Sequence, residues 1–134
     1  MGLFGRNKQK AIQKEFYKEH PEYKAMHDSI VHQQKLTDLM NSALERYKKD
    51  KDLDKIIKAY EKIFIEADPP CESSKDVDLA KYYVMAGQND KAWGYLNLLL
   101  TRPRSNEKKI RQQQIKILKK EGREVPAWME ERAK

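Results

Sequence analysis

From Glu22 to Asp68 the chain runs 47 residues without a glycine or a proline. These two residues interrupt helices most strongly, so so long a stretch without either favours helix. Within it, apolar residues recur at steps of three and four, which place side chains on one face of a helix. Alternating runs of Val, Ile and Thr that would form half-buried strands are absent. The whole chain holds five glycines and five prolines in 134 residues, and 37% of its side chains are charged. The expected fold is all-α, in a single domain over residues 1–134.

The breakers that do occur divide the chain. Residues 1–7, with two glycines, predict a frayed start. A weak helix from Lys8 to His20 should stop before Pro21, which can open the next helix because its missing N–H costs nothing there. Residues 21–49 fit either one long helix or two, with Thr37 capping the second. A turn at "KKDKDLD" leads to a helix with Leu53, Ile56, Ile57, Tyr60, Ile63 and Phe64 on one face, stopped by "DPP" at 68–70. Ser73 or Ser74 can cap the next helix and Gly87 can close it. Asp90 can cap a helix ending before Pro103, and Ser105 can start another that closes at Gly122.

Residues 37–70 and 73–106 correspond. Tyr47 and Tyr83 each sit near the end of a first helix, and "DK" enters the second helix of each unit. Ile56, Tyr60 and Ile63 then match Ala92, Leu96 and Leu99. Each unit closes on proline, Pro69–Pro70 or Pro103. This pattern resembles the tetratricopeptide repeat family. In the second copy Leu79 and Ala80 fall at the family's Leu-Gly pair and Tyr83 at its first-helix tyrosine. Gly87 falls at the inter-helix glycine, Ala92 at the small crossing residue and Pro103 close to the terminal proline. In the first copy Ala43, Leu44 and Tyr47 fit, but Lys51 stands where the family has glycine. The resemblance implies antiparallel helical hairpins stacked in a short right-handed array. Extra N-terminal helices precede it, and a capping helix and tail over 107–134 follow.

No catalytic constellation is evident. His27 and His32 are five apart, which does not set two imidazoles on one metal, and Cys71 has no cysteine partner. The expectation is no enzyme, no metal and no cofactor. No run approaches a membrane span, and a reducing cytoplasm suits a lone cysteine. After Gly2, Arg6 stands where a myristoylation signal wants Ser or Thr.

The resemblance implies instead a concave groove, lined by the first helix of each repeat, that holds a peptide or partner helix. Carried onto this chain, the lining would be Asp38, Asn41, Glu45 and Lys48, then Ser74, Val77, Lys81 and Val84. Their mixed signs depart from the Lys/Asn carboxylate clamp of chaperone-binding members. Net charge is +7, concentrated at the ends: residues 104–134 carry ten basic and five acidic side chains. An alternative is therefore nucleic-acid binding, with Lys108, Arg111, Lys119 and Lys120 along phosphates. Trp128 and Met129 either fold back or anchor a partner, including a second copy.

Overall fold

A computed structural model describes the backbone of residues 3–134 and the side chains from Lys8 onward. Seven α-helices are present and no strand occurs among the described residues. They are α1 (Leu3–Glu19), α2 (Pro21–Asp50), α3 (Leu53–Glu61), α4 (Asp78–Met85), α5 (Asn89–Leu100), α6 (Glu107–Lys120) and α7 (Ala127–Arg132). The fold is all-α. Helix α1 starts at Leu3, earlier than the two glycines suggested; Met1 and Gly2 lie outside the described residues. The chain divides into two compact units at Leu36.

The first unit holds α1 and the opening turns of α2. The chain turns at His20, whose N–H still donates to the Phe16 carbonyl at 2.9 Å while Pro21 begins α2. Rings close across this turn. The centroids of Phe16 and Tyr23 are 5.6 Å apart, and those of Tyr17 and His27 are 5.4 Å apart.

The second unit starts at Thr37, inside α2. Helix α2 is uninterrupted, so the Thr37 cap is not used: nothing in residues 22–50 breaks the backbone ladder. Lys51 then takes a left-handed conformation with φ 52°, and Asp52 caps α3 by accepting the Lys55 N–H at 3.1 Å. Five further residues, Lys62–Glu66, continue α3 as a π-helical turn. Its five-residue pitch is visible in the Ala67 N–H, which donates to the Lys62 carbonyl at 2.9 Å. The loop beyond returns to this turn, where the Cys71 N–H donates to the Ile63 carbonyl at 3.0 Å.

Of the two serines that could cap here, Ser73 does so, at the short 3₁₀ turn Ser74–Val77, accepting the Lys75 N–H at 3.2 Å. Helix α4 ends at Gly87, φ 74°, with the Gln88 N–H reaching back to the Tyr83 carbonyl at 2.8 Å. Helix α6 ends in the same way: Gly122 has φ 69°, and the Arg123 N–H donates to the Leu118 carbonyl at 2.8 Å. Both are Schellman closures, which need a residue that tolerates positive φ. Two starts differ from expectation. Helix α5 begins at Asn89, which puts Asp90 in its first turn, and α6 begins at Glu107 because Asn106 accepts the Lys109 N–H at 3.1 Å.

In this unit α3 packs on α4, α4 on α5, α5 on α6 and α6 on α7. Ile56, Tyr60, Phe64, Leu79, Tyr83, Ala92, Leu96, Leu99, Ile110 and Met129 are buried and form the core. Tyr47, Tyr82, Tyr60 and Phe64 make a chain of edge-on rings with centroids 5.2 to 5.4 Å apart, linking α2, α4 and α3. Tyr82 thus belongs to the packing. Polar cross-links hold the same layers. The Tyr83 hydroxyl donates to Glu61 Oε2 at 2.7 Å, and the Tyr95 hydroxyl donates to the Asp76 carbonyl at 2.8 Å.

Candidate functional site

Two stripes run along the second part of α2. One, built on Met40, Leu44 and Tyr47, faces the unit's interior and ends on the Tyr82 ring. The other, Leu39, Ala43, Arg46 and Asp50, is displaced around the helix by the same three- and four-residue steps. It borders a groove of about 250 Å³ whose opposite wall is α3, through Lys55, Ile56 and Ala59. The floor is apolar (Leu39, Ala43, Ile56, Ala59), and the rim carries both signs, Arg46 and Lys55 against Asp50 and Asp52. Lys55 Nζ lies 3.8 Å from Asp52 Oδ2, so part of that rim is internally paired. A shallower depression continues across the exposed side of α2 and includes Asn41 and Glu45; it shares Ser42, Arg46 and Asp50 with the groove.

The expected lining is only partly together. Asp38, Asn41, Glu45 and Lys48 are all exposed on α2, and Lys48 Nζ pairs with Glu45 Oε1 at 3.3 Å. Ser74 and Lys81 are exposed, and Lys81 Nζ lies 3.5 Å from Asp78 Oδ1. Val84 is half-buried. Val77 is a correction: it is a core residue, buried at the end of the 3₁₀ turn, and cannot line an open groove. Val77 stands three residues before the buried Ala80, and its apolar side chain is buried as that residue is. The link seen between the two helices is the Tyr47–Tyr82 ring contact.

The basic end is also reorganised. Lys108, Lys119 and Lys120 are exposed on α6. Arg111 is not free for a phosphate. Its Nη2 lies 3.4 Å from Glu107 Oε2, its Nη1 donates to Gln114 Oε1 at 2.9 Å, and its guanidinium lies 4.9 Å from the Trp128 ring centroid. Gln114 is fully buried and donates onward to Asn97 Oδ1 at 2.9 Å. Glu107 also receives Arg132 at 3.1 Å. This network joins α5, α6 and α7 and seats the C-terminal turn. Met129 is buried, while Trp128 is about half exposed under Arg111.

Burial shifts several groups. It pushes the Tyr60, Tyr83 and Tyr95 phenols well above their ordinary value, helped at Tyr83 by its bond to Glu61 and at Tyr95 by nearby Asp76. The Cys71 thiol is raised by burial and sits with Sγ 4.0 Å from Thr37 Oγ1. Asp76 is raised by burial as well. These groups belong to packing contacts rather than to a cleft. Among the described residues no three His, Cys, Asp or Glu side chains gather in a way that could hold a metal, and no helix is long and apolar enough to cross a membrane.

The groove stripe was readable in part. Leu39 and Ala43 stand off the main apolar face, which is the signal a second contact surface leaves. Nothing in the sequence marks Ala59 as its opposite wall. No family model, no curated protein and no solved structure matches the chain.

Proposed function

We propose that residues 37–134 are a non-catalytic interaction module, of tetratricopeptide-like build, that holds an amphipathic helix of a partner protein in the groove between α2 and α3. The observation that carries this reading is the groove itself: an apolar floor of Leu39, Ala43, Ile56 and Ala59 under a rim of both charges. Such a strip suits the i, i+3, i+4, i+7 anchors of a helix, with rim charges fixing its orientation. In a stacked array each hairpin buries its side against the next unit. The outer side of the first hairpin therefore has the character of a stacking face, and a partner helix can take that place.

Three features support the repeat-like build. Left-handed residues Lys51, Gly87 and Gly122 follow α2, α4 and α6 at intervals of 36 and 35 residues. Ala92, fully buried, lies at the small crossing position. Successive helices also pack on one another in chain order from α3 to α7. The nucleic-acid alternative keeps Lys108, Lys119 and Lys120 but has lost Arg111 to Glu107, Gln114 and Trp128.

Ala43→Arg with Ala59→Arg fills the groove from both walls while both sites keep good helix formers. Affinity capture from source cells is expected to lose its specific partner in this variant, with circular dichroism unchanged. Equal capture by both proteins contradicts the proposal.

A further inference from the structure

Residues 104–134 carry ten basic side chains. Five are in ion pairs: Arg104 with Glu72, Arg111 and Arg132 with Glu107, Arg123 with Glu121 and Lys134 with Glu131. The other five are Lys108, Lys109, Lys116, Lys119 and Lys120, all exposed on α6 and none ion-paired among the described residues. Within the helix they fall on an arc of about 120°, and Glu107, the one carboxylate of α6, stands outside it. Glu124 and Glu130 lie beyond α6, and Asp76 feels the charge of Lys109 without pairing to it. We propose that this face of α6 binds the phosphate backbone of double-stranded DNA without reading its sequence.

The arrangement works against the helix itself. Lys116 and Lys120 are like charges one turn apart, and Lys108 and Lys109 stand at the positive end of the helix. A polyanion relieves both. From Lys108 to Lys120 the face is roughly 18 Å long, the rise of about five base pairs. Lys108 and Lys119 form one row, and Lys109, Lys116 and Lys120 a second, roughly 90° further around the helix. Two rows suit the two phosphate strands that border a B-form major groove, which admits a helix; the narrow major groove of duplex RNA does not. The apolar anchors that a protein partner or a lipid surface needs are absent from the arc, because Ile110, Ile117 and Leu118 are buried in the core. Helix α6 also has no aromatic ring on which single-stranded bases could stack. Gln112, on the same arc, is held by its bond to the Ala133 carbonyl at 3.0 Å. Folding thus takes Arg111 out of the expected phosphate set and brings in Lys109 and Lys116. This inference is independent of the α2–α3 groove.

Fluorescence anisotropy of the full chain with a labelled DNA duplex of about 20 base pairs tests it. Five phosphate contacts give a log–log salt slope of about −4.5, so the wild type is expected to lose roughly 20-fold in affinity between about 50 and about 100 mM salt. Lys116→Gln with Lys120→Gln removes two contacts. This variant is expected to bind more weakly and to lose only about 6-fold over the same step, with unchanged helical circular dichroism. Lys10→Gln with Lys14→Gln removes the same charge from α1 and is expected to bind like the wild type. A duplex RNA of the same length is expected to bind more weakly than the DNA. No binding to DNA at about 50 mM salt overturns the proposal. So does an equal loss in the two substituted proteins, or RNA binding as tight as that of DNA.

Discussion

Lys51, which follows α2, and Gly87, which follows α4, share one backbone conformation: φ is 52° and 74°, and 36 residues separate them. Only glycine adopts this region without a steric cost, so Lys51 carries a strain that Gly87 does not. At Gly87 a Cβ would meet no atom within 4 Å. The cost of Gly87→Ala is therefore backbone alone, about 1 kcal/mol, which lowers Tm by about 3–5 °C. Lys51→Gly relieves the same strain but removes an ammonium 5.4 Å from the Tyr47 ring centroid. Its net gain is smaller, about 0.5 kcal/mol. Thermal melts of the two variants should shift in opposite directions; a shared sign contradicts this account of the turn.

The buried Gln114 amide is satisfied on both sides, by Asn97 and by Arg111. Replacing it with leucine keeps the volume but strands both partners, which costs about 1–3 kcal/mol. Chemical denaturation is expected to give a lower midpoint for Gln114→Leu with an unchanged slope. A more stable variant would mean that the network contributes nothing to seating α7.

Tyr60, Tyr83 and Tyr95 stay protonated in the folded chain above their ordinary pKa of 10.0, chiefly because burial disfavours the phenolate. Since the folded values are the higher ones, their stabilising contribution is complete below pH 10 and is lost as pH rises above it. Absorbance titration should show these phenolates appearing only together with loss of helicity, above about pH 10. Ionisation of all seven tyrosines in an intact helical protein near pH 10 contradicts the burial of these three.

Cys71 is buried, its thiol raised by desolvation, with Thr37 beside it. Thiolate is the reactive form, so the native protein should react with a disulfide reagent at least about 100-fold more slowly than the unfolded chain. Comparable rates would place the loop at 67–73 away from α2.

Much of the fold was legible because its signals are local. The Gly- and Pro-free stretch marked α2 and α3, and Ser73, Gly87 and Gly122 marked helix ends through their own backbone chemistry. Lys51 was not legible as a left-handed residue, since a lysine carries no sign of that conformation. Val77 reads as groove lining in the repeat pattern, but it stands three residues before Ala80 and, like it, is buried in the core. Arg111 reads as a surface cation until folding brings Gln114 and Trp128 to it, and Trp128 lies 17 residues away in the chain. The α2–α3 groove is likewise a product of packing, because Ala43 and Ala59 say nothing of each other in sequence.

The α2–α3 groove is tested most directly by placing a photo-crosslinking phenylalanine analogue at Ala43, on its floor, and separately at exposed Leu98 on α5. After irradiation in source cells, the account predicts one discrete heavier adduct from position 43 and none from position 98. Equal adducts from both positions, or none from position 43, would contradict it.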